Sequence, residues 1–376
     1  MNMLDYLTWR GDLTFAQSGF CEVDNLLFCY LIYVNLDEVA PKMGEAAISI
    51  RELSRRFFER YTEEELEQDK SFIRFAPHVL KAMAQTDRFG NLLVQNYVNK
   101  IDFEKMLQFA AIEILLGNGT RFIAYRGTDD TIVGWKEDFN LSRGEVPSEK
   151  EAVRYLNKVG NIRRRSQIQD IRLGGHSKGG NLAVYAAACC EREIQDRISD
   201  IYDNDGPGFM KSFIERPEVR LVSGRIRRYI PESSVIGILL EHAAGPVVVQ
   251  STQKGVMQHD AFSWEVSGTA FVRCEKLSNF AEGVNKSIRE WLAEVKDEQR
   301  RQVIEDLFAV LEATEAATLT ELQDGGLKNI RTIMKEIEDM NSDSKGILQD
   351  LFKKMIQNIP HMLGVQETRK ERKMST

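Results

Sequence analysis

The stretch Ile171-Arg172-Leu173-Gly174-Gly175-His176-Ser177-Lys178-Gly179-Gly180-Asn181-Leu182-Ala183 holds residue types that could carry nucleophilic chemistry. A short apolar run ends in Gly-x-Ser-x-Gly and passes at once into an Ala-rich segment of helical character. A serine on so tight a strand-to-helix turn is pushed out of the backbone, and the residues two before and two after it must lack a Cβ. The glycines at 175 and 179 meet that demand. The helix that follows points its free amides and positive dipole end at the serine, where a negative charge would develop. The backbone N–H of Lys178 then serves as one donor to an oxyanion.

A hydroxyl needs a base, and the base needs a carboxylate to hold its tautomer. A second oxyanion donor is also required, usually from a loop after an earlier strand. Phe122-Ile123-Ala124-Tyr125-Arg126-Gly127-Thr128 reads as a strand entering such a loop. There Thr128 offers both its backbone N–H and its hydroxyl, with Arg126 as a brace. Two histidines follow the serine within the region of alternating strands and helices, His242 and His259. His242 lies in the apolar stretch Leu239-Leu240-Glu241-His242-Ala243-Ala244, whereas His259 lies in a polar loop after the last strand, where a general base is expected. Asp205 in the Gly/Pro-rich turn 205–208 ranks first as the acid, Glu232 second and Asp203 third. Asp260, beside His259, would point away from the imidazole in extended backbone.

The elements that must position these groups are legible as changes in texture. Residues 1–105 read as mostly helical, with Asn25–Val34 and Phe75–Asn99 as examples. Residues 106–275 alternate short apolar runs with helical patterns, the mark of a largely parallel sheet flanked by helices. Strands are expected at Met106–Leu116, Arg121–Tyr125, Asp170–Gly174, Ile198–Tyr202, Arg225–Ile230 and Val247–Ser251, with a helix at Lys150–Val159. Gly117-Asn118-Gly119 should turn the first two into a hairpin, since these residues tolerate positive φ. Residues 278–376 have helical periodicity alone, as in Ile288, Leu292 and Val295, or Ile330, Ile333, Met334 and Ile337, and end in a charged tail from Glu367. The division is therefore a hydrolase domain over 1–277, made of a helical N-terminal region (residues 1–105) and a sheet core (residues 106–275), followed by a helical extension over 278–376.

Arg126-Gly127-Thr128…Trp135…Asp138 and Gly175-His176-Ser177-Lys178-Gly179-Gly180 together resemble the class 3 (fungal-type) lipase branch of the α/β-hydrolases. The similarity is closer to a bacterial family of uncharacterised members of that branch, in which a Gly-His-Ser-Lys-Gly-Gly-Asn elbow precedes Asp-Gly-Pro-Gly-Phe and Gln-His-Asp…Trp. Here those are Asp205-Gly206-Pro207-Gly208-Phe209 and Gln258-His259-Asp260…Trp264. The resemblance spans about residues 10–275. It implies an α/β-hydrolase fold with a Ser/His/acid site and a Thr-type oxyanion hole, and it implies no particular substrate. Lipases of this type place their acid after the strand Arg225–Ile230, where this chain reads Pro231-Glu232-Ser233-Ser234. Lys178 stands where lipases commonly carry Leu, which makes a greasy acyl-binding mouth less marked.

The expectation is a serine hydrolase acting on a small-molecule or lipid carboxylic ester, with no metal or organic cofactor. The alternative is a non-catalytic α/β-hydrolase scaffold that binds a partner through its helical extension. A third reading sets the hydrolase at membranes, with Ser233–Gly245 as an apolar lid and the amphipathic C-terminal helices as the peripheral membrane or protein contact. With a net charge of −7 the chain is a poor match for nucleic acid. It lacks the basic start and apolar run of a secretory signal, and its best apolar run, Val235–Val249, is broken by Glu241, His242 and Pro246. Five cysteines without metal-ligand spacing suit a reducing compartment, so a cytoplasmic location is expected.

Overall fold

The computed structural model describes residues 1–67, 73–102, 104–117, 119–128, 145–161, 170–278 and 281–282, and then 302, 306, 310, 313–314, 326–340, 344–346 and 348–349. Eight strands form one sheet in the order of the sequence: β1 Ile48–Ser49, β2 Leu93–Asp102, β3 Leu107–Leu115, β4 Arg121–Tyr125, β5 Ile171–His176, β6 Ile198–Asn204, β7 Ile226–Pro231 and β8 Val247–Val249. Pairing is antiparallel from β1 to β4 and parallel from β4 to β8. All nine positions of β3 but the last, and all five of β4, are buried, as strands covered on both faces must be.

The consecutive strand order dictates what covers each face. Right-handed crossovers that always step in one direction leave their helices on one side of a sheet. The helices Pro147–Gly160, Lys178–Cys189 and Pro217–Ser223 pack there, with Leu156, Leu182 and Val222 in one core with Ile123, Tyr125, Leu173 and Ile201. Among the described residues the opposite face has no crossover helix to cover it. The N-terminal helices do so: α1 Met3–Arg10, α2 Glu22–Leu31, α3 Ile50–Arg60 and α4 Ala76–Ala84. Leu26, Leu27 and Phe28 of α2 share a core with Phe122, Ala124 and Tyr202. The alternation along β4 is the period of a pleated strand, with Phe122 and Ala124 on one face and Ile123 and Tyr125 on the other.

Each of the six expected strands is present, as are the helix over 150–159 and the antiparallel hairpin at 117–119, whose Gly117 and Gly119 both have positive φ. One expectation fails. The helix expected over Phe75–Asn99 ends at Ala84, and Leu93–Asp102 is a strand, so the sheet starts inside the supposedly helical 1–105. The cause is a bulge: the pairing slips between Gln95 and Val98, and Asn96 has φ +56°. An extra residue there breaks the two-residue alternation by which a strand is recognised.

In the C-terminal region, the helix Gly326–Asp339 carries the expected stripe, with Ile333 and Ile337 buried. The stripe read at Ile288, Leu292 and Val295 lies outside the described residues. Among the described residues no helix is long and apolar enough to cross a membrane.

Candidate active site

The turn between β5 and the helix at Lys178 is as tight as the two glycines require. A Cβ on Gly175 would overlap the carbonyl group of Gly179, and one on Gly179 would overlap the Tyr125 carbonyl oxygen. Ser177 itself takes φ 55° and ψ −134°, outside the regions L-residues prefer. Such a conformation costs on the order of 1–3 kcal/mol and persists only when its surroundings enforce it. Here Ser177 N donates to the Asn204 carbonyl (2.9 Å), and the Ser177 carbonyl accepts from Gly180 N (2.9 Å). The Asn204 side chain donates to the Gly175 carbonyl (3.0 Å).

Ser177 Oγ lies 3.0 Å from His259 Nε2, and His259 Nδ1 lies 2.6 Å from Asp205 Oδ2. Because a carboxylate only accepts, the ring proton belongs on Nδ1 and Nε2 is left to accept from the serine hydroxyl. Asp205 is fully buried at φ +55° and its N–H donates to the Tyr229 carbonyl (2.8 Å). Its second oxygen, Oδ1, accepts from Ser234 Oγ at 2.5 Å.

The other acid candidates sit elsewhere. Glu232 faces Gln258 and Cys274, and does not reach the imidazole. Asp203 accepts from Gly206 N (2.9 Å) and faces Arg228 and His242 at 3.8 and 3.9 Å. Burial pushes its carboxyl up to about 7, against the pull of Arg228. Asp260 turns away from the ring to accept from Tyr30, as extended backbone implies. His242 belongs to the Asp203 cluster and not to Ser177. Arg126 donates to the Asn99 side chain (2.9 Å) and so braces the loop after β4.

That loop meets the Ser177 turn at Gly127, where a Cβ would overlap the His176 carbonyl oxygen and lie 3.1 Å from Ser177 Cβ. Thr128 is the next residue and is buried; Lys178, after the serine, is buried too. Trp135 and Asp138 lie outside the described residues.

One residue that sequence reasoning passed over is His176, set aside because it precedes the serine. Its ring lies 4.7 Å from that of His259, centroid to centroid, and its Nε2 donates to the His259 carbonyl at 2.8 Å. Since a carbonyl only accepts, Nδ1 is the acceptor atom, and the Tyr33 hydroxyl stands 3.1 Å from it. Burial, with the neighbouring His259 second, holds the His176 pKa down to about 3, so the ring is neutral at ordinary pH. The loop is fastened on both sides of His259 as well. Trp264 Nε1 donates to the Gln258 carbonyl (2.9 Å) and Tyr30 to Asp260 (3.1 Å). Three consecutive residues are thus clamped, which fixes where the imidazole between them points.

The segment Ser233–Gly245, considered as a lid, is bonded to the 205–209 turn through Leu239 and Glu241: Gly208 N to Leu239 O, Phe209 N to Glu241 O and Glu241 N to Phe209 O, at 2.8–2.9 Å. Among the described residues no cluster of His, Cys, Asp and Glu could hold a metal ion.

A mostly parallel sheet covered by helices on both faces, with a strained serine presented between a strand and the helix that follows it, defines an α/β-hydrolase fold. A model of the Mbeg1-like family matches residues 83–309, more than half of the 376 residues, and the chain belongs to that family. No curated protein matches. Among solved structures the chain is similar to that described as the crystal structure of M37 lipase. The identity is 16% over 57% of this chain and 67% of that one, with a TM-score of 0.33.

Proposed function

We propose that the protein is a serine hydrolase that cleaves carboxylic esters, small-molecule or lipid, through Ser177, His259 and Asp205. The observation that carries this reading is the unbroken run of hydrogen bonds from Ser177 Oγ through both nitrogens of His259 to a buried carboxylate, at 3.0 and 2.6 Å. A scaffold with no chemistry has no need to place a strained serine against a base that is itself oriented by an acid.

In this reading His259 Nε2 takes the Ser177 proton as Oγ attacks the ester carbonyl carbon. The C=O pair moves onto oxygen, where the Lys178 N–H and the Thr128 N–H or hydroxyl stabilise it. The tetrahedral intermediate collapses, the C–O bond to the alcohol breaks, and the leaving oxygen takes the proton from His259. Water then repeats the sequence on the acyl-enzyme: His259 removes its proton, the acid departs and Ser177 recovers its hydrogen. Asp205 stays ionised throughout and stabilises the imidazolium. No metal or organic cofactor enters these steps.

All five cysteines are free thiols, which fits a reducing, cytoplasmic setting. The test is covalent labelling with a fluorophosphonate, alongside turnover of p-nitrophenyl esters of increasing chain length. Wild type should label and turn over esters, and Ser177→Ala should do neither; a variant that labels as well as wild type refutes the assignment.

A further inference from the structure

The chain leaves β7 as Glu232-Ser233-Ser234, whereas Asp205 stands in the turn after β6. Ser234 is 2% exposed, and its Oγ has two partners: it donates to Asp205 Oδ1 at 2.5 Å and accepts from Gly237 N at 3.0 Å. With Gly237 N as the donor to Ser234, the hydroxyl's one proton is committed to Asp205. Ser234 N in turn donates to the Pro231 carbonyl (3.0 Å), which ties the hydroxyl to the end of β7. A Cβ on Gly237 would overlap Asp205 Oδ1, so the turn closes directly on the carboxylate.

We propose that Ser234 is a positioning residue for the hydrolase reaction, a fourth link that fixes the Asp205 carboxylate and tempers its basicity toward His259. The proposal rests on the Ser177–His259–Asp205 reading above. Asp205 has two oxygens. One accepts from His259 Nδ1, and the direction of the other decides the plane of the carboxylate and hence the quality of that first bond. A charge-assisted O–H···O⁻ bond is about twice as strong as a neutral one, enough to hold that plane. The same bond draws negative charge toward Ser234. Without it the carboxylate is a stronger acceptor for the imidazolium, and His259 holds its proton to higher pH.

Other titratable groups face the pair from each neighbouring element: Asp203 from β6, Arg228 from β7, neutral His176 from β5 and Asp260 from the loop itself. All remain in place when only the hydroxyl at 234 is removed, so a change in titration on that removal reports the one bond.

The experiment measures the rate of fluorophosphonate labelling from pH 5 to 9 for wild type, Ser234→Ala, Ser234→Thr and Ser177→Ala, with thermal unfolding of each. Ser234→Ala should label about tenfold more slowly at pH 7, with its acid limb moved upward by roughly half to one pH unit. Ser234→Thr, which keeps the hydroxyl, should return the limb toward wild type. If Ser234→Ala does not fold, Ser234→Cys, nearly isosteric with a weaker donor, should shift the limb the same way by less. A folded Ala or Cys variant whose limb coincides with that of wild type overturns the proposal while leaving the hydrolase reading intact. Labelling of Ser177→Ala at the wild-type rate removes that reading itself, and the two failures are told apart in one set of data.

Discussion

Asn25 and Asn204, 179 positions apart, exchange hydrogen bonds through their carboxamides: Asn25 Nδ2 to Asn204 Oδ1 at 2.9 Å and Asn204 Nδ2 to Asn25 Oδ1 at 3.2 Å. Asn204 is also the residue whose carbonyl receives the Ser177 amide and whose side chain reaches the Gly175 carbonyl. Helix α2 therefore braces the Ser177 turn. Asn25→Leu strands one buried carboxamide and should cost about 1–3 kcal/mol in urea unfolding. Asn204→Leu, which also removes the side-chain donor to the Gly175 carbonyl, should cost more. The double variant should cost less than the sum, because the pair shares its partners. Strict additivity would disprove the coupling.

The assignment of the acid predicts a contrast between two carboxylates. Asp205→Asn keeps the shape but offers the imidazole an amide, and ester turnover should fall about 10⁴-fold, as when a triad acid is neutralised in serine proteases. Glu232→Gln should change turnover by no more than about threefold, since Glu232 contacts Gln258 and Cys274 and not His259. Steady-state rates on one short-chain ester settle the matter, and the opposite ranking would move the acid to the end of β7.

Gly175→Ala and Gly179→Ala place a methyl group on backbone, which cannot swing aside as a side chain does. Overpacking of this kind costs typically 1–3 kcal/mol or more. Thermal unfolding should show loss of stability in both, with turnover falling faster than the folded fraction because the elbow itself is displaced. Gly224, with nothing within 4 Å of a Cβ, is the control: Gly224→Ala should unfold within a few degrees of wild type.

Two buried groups predict opposite trends with pH. The Asp203 carboxyl sits at about 7 in the fold against 3.8 when free, so between those values the native state binds more protons than the unfolded chain. Its contribution is full below pH 4 and is lost as pH rises through 7. His176 is depressed from 6.5 to about 3, so its contribution is full above pH 6.5 and is lost as pH falls toward 3. Asp203→Asn should therefore gain on wild type in unfolding free energy as pH is raised from 4 to 7. His176→Gln should gain on wild type as pH is lowered from 6.5 to 4. Difference curves that are flat with pH would show that neither group carries a shifted proton in the fold.

The turn at the centre of the candidate site was legible in the sequence because it is local. Gly175, Ser177 and Gly179 announce a turn that only such spacing permits, and the parallel strands from β4 to β8 are short apolar runs with clear punctuation. Asp205 could be ranked above Glu232 but not fixed, since both end strands of the same sheet and only the register decides which one meets His259. His176 was missed because its partner, the His259 carbonyl, is 83 residues away and is a backbone atom with no signature. The strand at 93–102 was hidden by its bulge. Ser234 stood in plain view two residues past Glu232, but its hydroxyl gains meaning only once Asp205 is known to lie against it.

The consecutive order of the strands bears on how the molecule could be shortened. The family match opens at residue 83, inside α4, yet α1, α2 and α3 all lie upstream and close one side of the sheet. A fragment cut to the matched boundaries would present Phe122, Ala124 and Tyr202 to water and would sever Asn204 from its clasp. What similarity marks out as the shared region is thus smaller than what can stand alone, and a protein trimmed to it should precipitate and not merely slow down.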